Sequence, residues 1–308
     1  MATTQPTQRW SASTAPPSQK GSADRPATAV RPSPPTHELE HFVSRYRRLQ
    51  PGSGPRAQDL LDSLGEIAPL HERLGPRGQL PSACHCLIEG YAAPDNARHL
   101  RDYLVRRGQT DIDILAIDLY DLPALYARIG CAMPPMRYRL ADARNLRGIL
   151  GDASIDLVVQ DFLVNCMQPA DVPILLAEVR RVLSPDGLAF ISFTDDTCMK
   201  DVPLIEDKSH QPGLANPDAL ILPPPGTAAH RHLGRRFPLP GSTSWGFVTR
   251  PHGRLEFFSP LAQTLLAMDH QGLELLARSV SNGLDDHGLH CLRHRCILRR
   301  RPEAAPHG

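Results

Sequence analysis

The chain has 308 residues, 41% hydrophobic and 22% charged, with a formal net charge of +1. That length allows one large globular domain or two small ones with a substantial core. Near-neutrality gives no long-range pull toward nucleic acid or an acidic membrane surface. No apolar run approaches the roughly 18 residues of a membrane span or forms the core of a secretory signal.

Seven cysteines, at 84, 86, 131, 166, 198, 291 and 296, lie mostly in apolar strand-like stretches. An odd number so placed reads as reduced core thiols in a cytoplasmic protein. Arginine supplies nearly all the positive charge, with lysine only at Lys20, Lys200 and Lys208.

Residues 1–35 are Pro, Ser, Thr and Ala, with Trp10 and Val30 almost the only sizeable apolar side chains. Such a segment buries too little surface to offset its ordering entropy, which predicts a disordered tail. Arg9, Arg25 and Arg31 in an acid-poor stretch also resemble a transit peptide, although no amphipathic period accompanies them. Order is expected from Thr36, an N-cap for a helix carrying Leu39, Phe42, Val43, Tyr46 and Leu49. After the Pro51–Pro55 break, Leu60, Leu61, Leu64, Ile67, Leu70 and Leu74 form a second amphipathic pattern. Residues 36–80 are therefore expected to be accessory helices in front of the main domain.

From Cys84 the pattern alternates between short apolar strands and helices, as in a parallel sheet covered on both faces. The predicted strands are Cys84–Glu89, Asp113–Asp118, Met136–Leu140, Ile155–Gln160 and Leu188–Phe193. Helices are predicted over Asp95–Arg107, Leu122–Ile129 and Asp171–Leu183, stopped by Gly108, Gly130 and Ser184-Pro185-Asp186-Gly187. Ser259-Pro260 starts another helix, and strands over Leu273–Val280 and Leu289–Arg299 follow. The stretch from Thr194 to Arg254 is rich in Pro, Gly and His, has little periodicity and is too long for an ordinary loop. It is expected to be a lid or substrate insertion. Residues 301–308 are expected to be a disordered tail.

In such a sheet, ligands sit beyond the carboxyl ends of the strands, at the switch point. Ile88-Glu89-Gly90-Tyr91-Ala92 runs from a strand into a helix through small residues, so a ligand can approach the backbone. Asp118, followed by Leu119, ends the next strand, where a carboxylate suits two adjacent hydroxyls. Asp142-Ala143 is placed to bond an adenine amino group. Asp161 ends the fourth strand, with Asn165 one turn beyond.

These segments resemble class I S-adenosylmethionine-dependent methyltransferases. Ala141-Asp142-Ala143, Ala153–Val159 and Leu176–Leu188 are similar to the family's third to fifth motifs, and the resemblance covers roughly Pro81 to Arg300. It implies a doubly wound α/β fold with a mostly parallel seven-stranded Rossmann-like sheet and helices on both faces. It implies S-adenosylmethionine as cofactor, with Asp118 on the ribose hydroxyls and Asp142 and Ala143 at the adenine. Gly90 and Ala92 would lie under the methionine moiety, and Glu89, Tyr91, Leu119 and Asp161 would complete the cofactor set.

The chain departs from the family at its first motif. Glu89 directly precedes Gly90, and Ala92 and Pro94 stand where glycines are usual. Adenosylmethionine has no pyrophosphate and tolerates this, whereas a nicotinamide dinucleotide needs Gly-x-Gly-x-x-Gly. The expected activity is methyl transfer to a small-molecule acceptor, with no nucleic-acid or membrane partner. Alternatives are a catalytically silent binding domain and, less favoured, a nicotinamide-dependent oxidoreductase. Catalytic candidates near the mouth are Asp161, Asn165, Asp195, Asp196 and His210, and Trp245 and Phe247 could wall an acceptor. His287, His290, Cys291, His294 and Cys296 could suggest a metal. Strand alternation instead puts His294, Cys296 and Leu298 on a buried face and Arg293, Arg295 and Arg299 on a solvated one, so no metal is expected.

Overall fold

A computed structural model of the chain describes residues 59–90, 95–128, 136–202, 204, 234–249, 255–284 and 290–302. The expected tails, the Thr36 helix, Tyr91, Ala92 and His210 lie outside the described residues. The described helices are α1 (Asp59–Arg73), α2 (Asn96–Val105), α3 (Leu122–Arg128), α4 (Val172–Val182) and α5 (Leu261–His270). Strands β1 to β5 cover Ala83–Glu89, Asp111–Asp118, Arg137–Leu140, Ile155–Asp161 and Leu183–Thr194. Strands β6 to β10 cover Gly234–Pro238, Trp245–Thr249, Leu255–Phe258, Leu273–Leu284 and His290–Arg300.

Seven strands form one sheet in the order β3-β2-β1-β4-β5-β10-β9. β1 to β5 run parallel, and β10 is antiparallel to both β5 and β9. The chain winds outward from β1 to β3, then returns to β4 on the other side of β1. The switch point therefore lies between β1 and β4, as a doubly wound sheet requires.

Strand alternation divides the core between the two faces. Cys84, Cys86 and Ile88 of β1 pack with Leu60, Leu64 and Ile67 of α1 and with Leu100 and Leu104 of α2. Leu87, one residue out of phase, joins Leu175, Leu176 and Val179 of α4 and Met268 of α5 on the other side. The helix expected as an accessory layer is thus part of the main core, because its leucine stripe finds its partners on the sheet.

Two further features differ from the sequence expectation. Pairing of β5 begins early, at Leu183 opposite Ile155, and the register slips before Leu157 pairs with Leu188. The Ser184–Gly187 stop signal is accommodated as a bulge within the strand. The stretch expected to be aperiodic contains an antiparallel sheet, β6-β7-β8. Gly246 interrupts the apolar pattern of β7, and the Phe237 ring of β6 occupies the space where its Cβ would stand. Among the described residues no helix is long and apolar enough to cross a membrane.

The expected solvated face of β10 is corrected at Arg295, which is 1% exposed. Helix α1 covers that face, so the arginine meets Ser63, Glu66 and Ser281 in place of water.

Candidate active site

The end of β1 is built around a buried acid. Glu89 is paired with Gln160 across β1 and β4, and the Gln160 amide donates to its Oε2. Burial raises Glu89 to about 8, an effect opposed by the Gln160 bond, so the carboxyl is protonated at neutral pH. Glu89 Oε1 and Gln160 Oε1 are buried with no hydrogen-bond partner among the described residues.

Gly90 follows with φ +68°, and a Cβ there would stand 3.0 Å from Leu163 Cδ1. Its N–H donates to Ile117 O at 3.1 Å, tying the turn to β2. Glycine adopts this left-handed conformation at no steric cost and leaves the backbone open to close approach.

Asp118, half-buried, ends β2 and accepts from the Tyr120 N–H on Oδ1 at 3.2 Å. Leu119 beside it is 45% exposed and offers an apolar surface at the mouth. Beyond β3, Asp142 is gripped by Arg144, whose backbone N–H (3.0 Å) and Nε (2.9 Å) reach Oδ1 and whose Nη2 (2.6 Å) reaches Oδ2. Arg144 Nη1 continues to Asp171 Oδ2 at 2.7 Å, and this chelate fixes the Asp142 carboxylate. Ala143 is buried in the core beneath that turn.

At the end of β4, Asp161 accepts from Ser63 Oγ of α1 at 2.7 Å. Burial raises its pKa, against the opposing bonds from Ser63 and Ser192 and the pull of Arg295 and Arg293. Phe162 has φ +56°, a conformation that costs a bulky residue about 1–2 kcal/mol. Its ring lies 5.3 Å from the Arg295 guanidinium and 5.7 Å from that of Arg293. Two left-handed residues, Gly90 and Phe162, thus flank the switch point at the ends of β1 and β4.

Asn165 acts as a staple. Its Nδ2 donates to Thr194 O at 3.0 Å and Phe257 O at 2.9 Å, while its Oδ1 accepts from the Thr194 N–H at 2.9 Å. Both donors hold backbone, joining the turn after β4 to β5 and β8. At the end of β5, buried Asp195 caps a 3-10 turn through the Thr197 N–H and meets His294 Nε2 of β10 at 3.0 Å. Asp196, half-buried, has its pKa raised by burial first and the Asp195 charge second. Phe247 packs edge-on against Phe258, with ring centroids 6.0 Å apart, in a cluster with Cys198, Met199 and Cys291. Trp245 is half-buried beneath the Arg236 guanidinium, 4.3 Å from its ring centroid.

Glu89, Gly90, Asp118, Asp142, Ala143 and Asp161 therefore stand at the carboxyl ends of four consecutive strands, with Asp195 at the fifth. Ser63, Phe162, His294 and Arg295 were not recognised as site residues from the sequence. Only His294 carried a signal, a histidine in the first half of β10, opposite Phe193 near the end of β5.

Residues 97–191 match a family model described as a methyltransferase domain. Over that stretch, from α2 into β5, the chain is similar to methyltransferase domains. A protein from Pyrococcus horikoshii OT3 shares the fold with TM-score 0.50 and 12% identity, over 85% of this chain and 99% of that one. The 1,6-didemethyltoxoflavin-N1-methyltransferase of Burkholderia thailandensis, solved with 1,6-didemethyltoxoflavin and S-adenosylhomocysteine, is also similar. Its TM-score is 0.48 at 16% identity, over 87% of this chain and 88% of that one. No curated protein matches the chain in sequence.

The described residues fit S-adenosylmethionine, the cofactor that the resemblance implies. A Cβ at Gly90 would press on Leu163, so the turn has to be glycine, and two oxygens without a partner among the described residues, Glu89 Oε1 and Gln160 Oε1, sit at the ends of β1 and β4. An ammonium group beside them would draw the proton off Glu89, because a nearby positive charge favours the carboxylate, and both oxygens would then accept. Asp118 is one strand away with a carboxylate for hydroxyls.

Proposed function

We propose that this protein is a methyltransferase that transfers a methyl group from S-adenosylmethionine to a small-molecule acceptor by in-line displacement. The observation that carries the reading is the convergence of Gly90, Asp118, Asp142 and Asp161 on one edge of the sheet, around the switch point. The cofactor, when bound, supplies an electrophilic methyl carbon on a sulfonium. Asp118 would accept from the ribose hydroxyls, and Asp142, held rigid by Arg144, would face the adenine amino group. Gly90 lets the methionine moiety lie against the backbone, and Leu119 gives the adenosine an apolar neighbour.

The protein's main contribution is alignment of the nucleophile with the methyl carbon and exclusion of water. Near-neutral charge favours a small acceptor over nucleic acid. No disulfide joins the six described cysteines, which is in keeping with a reducing cytoplasmic setting.

Calorimetry with S-adenosylhomocysteine, then label transfer from methyl-labelled S-adenosylmethionine to a small-molecule extract, tests the reading. Absence of S-adenosylhomocysteine binding would overturn it. A silent binding domain is the second reading, favoured by Ala92 and Pro94 in the first motif. Binding without any transfer would support that alternative.

A further inference from the structure

Asp195 and His294 form a buried pair where β5 ends and β10 enters the sheet, beside the base of the three-stranded sheet. His294 Nε2 lies 3.0 Å from Asp195 Oδ2. The other carboxylate oxygen, Oδ1, accepts from the Thr197 N–H at 3.0 Å and from the Thr197 hydroxyl. A carboxylate only accepts, so Nε2 carries the imidazole proton and Nδ1 carries the lone pair. The ring is stacked on Phe193, with centroids 5.1 Å apart, and the histidine is 1% exposed. Nδ1 has no hydrogen-bond partner among the described residues. Stacking and a fixed tautomer hold a lone pair that no described residue uses.

We infer that His294, oriented by Asp195, is the general base that takes the proton of a hydroxyl-bearing acceptor. The inference rests on the methyltransferase reading and narrows its acceptor to molecules with a proton to lose. As the acceptor oxygen bonds the methyl carbon, its O–H proton passes to His294 Nδ1. The carbon–sulfur pair remains on sulfur, and the positive charge of the sulfonium ends on the imidazolium. Asp195 stabilises that charge from the far side of the ring, as a carboxylate does behind a catalytic histidine. Asp195 lies directly after the end of β5, on the edge that carries Asp118 and Asp161.

Other titratable groups on the packed elements are Asp196, Cys198, Lys200 and Asp201 on the turn after β5. Glu274 and Arg278 lie on β9, and His290, Cys291, Arg293, Arg295, Cys296, Arg299 and Arg300 on β10. Of these, Asp196 shares the Asp195 charge environment.

The test uses the full chain. Calorimetry with S-adenosylhomocysteine comes first, and failure there sinks the methyltransferase reading itself. Imidazole nitrogen NMR on the S-adenosylhomocysteine complex then reads the tautomer and the response to phenol, with anisole as the O-capped control. The expected result is a protonated Nε2, an unprotonated Nδ1, and an Nδ1 resonance moved by phenol and not by anisole. A protonated Nδ1, or a phenol response no different from that of anisole, overturns the proposal. In the variants His294→Gln and Asp195→Asn, S-adenosylhomocysteine affinity should stay within about threefold. Methyl transfer to any phenol the wild type accepts should fall roughly 100- to 10,000-fold at neutral pH and recover partly as pH rises. Unchanged transfer in His294→Gln also overturns it. If that variant fails to fold, the NMR on the wild-type protein decides alone.

Discussion

Ser63 Oγ on α1 donates to Asp161 Oδ1 at the end of β4 across 2.7 Å, although 98 positions separate the two residues. Arg295 Nε donates to the same hydroxyl at 3.3 Å, so one serine links the first helix, the β4 terminus and β10. Ser63→Ala leaves a buried carboxyl and a buried guanidinium each short of a partner, which should cost about 1–3 kcal/mol. Thermal unfolding should show a loss of several degrees, at roughly 2–4 °C per kcal/mol for a domain of this size. Burial already raises the Asp161 pKa, and removing a donor raises it further. The penalty is therefore largest at neutral pH and shrinks as Asp161 is protonated on acidification. An unchanged melting temperature in Ser63→Ala would show that the link carries no weight.

Asp118→Ala tests the ribose assignment. Removing hydrogen bonds to a charged acceptor is worth about 1.5–3 kcal/mol, or roughly ten- to a hundredfold in affinity. Far-UV circular dichroism should remain native-like, because a half-buried strand-end carboxylate contributes little packing. S-adenosylhomocysteine binding as tight as wild type by calorimetry would remove Asp118 from the site.

Glu89→Gln should change how stability depends on pH. Burial holds the Glu89 carboxyl at about 8 against an ordinary 4.5. A raised acid contributes stability that is complete below its unfolded value and is lost as pH rises through the folded one. The wild type should therefore lose on the order of 3–5 kcal/mol between mildly acid and alkaline conditions from this group. Glutamine has the same shape and no proton to lose, so the variant should lack that slope and gain on the wild type as pH rises. Urea unfolding at several pH values checks this, and parallel profiles for the two proteins would contradict it.

Asn165→Leu separates a staple from a catalyst. The side chain makes three hydrogen bonds, all to backbone groups of Thr194 and Phe257. Replacing it should cost about 1–3 kcal/mol and expose the Thr194 amide to hydrogen exchange. S-adenosylhomocysteine affinity should hold within a few fold. A native melting temperature with abolished methyl transfer would instead place Asn165 in the chemistry.

The main elements were legible because their signals are local. Strands β1, β2, β4 and β10 and helices α2, α4 and α5 are marked by apolar runs or stripes with Gly, Pro or a strand end within a few residues. The parallel sheet follows from their alternation, and the strand-end positions of Gly90, Asp118, Asp142 and Asp161 follow from the sheet. The small sheet β6-β7-β8 was not legible. Its central glycine is explained only by the Phe237 ring on the neighbouring strand, and β6 is only five residues long.

The sequence by itself determined which residues share a face and which stand at strand ends, because both depend on a repeat of two or of about 3.6 along the chain. Tertiary structure alone decided what lies opposite each face. Arg293, Arg295 and Arg299 alternate like a solvated strand face, yet Arg295 is 1% exposed because α1 packs over it. His294 alternates like a core residue, yet it meets Asp195 from 99 positions away. A period records only that a side chain points inward or outward. Whether an inward polar atom finds a carboxylate, a serine or no partner is set by elements brought together across the sheet, after the entropy of closing long loops has been overcome.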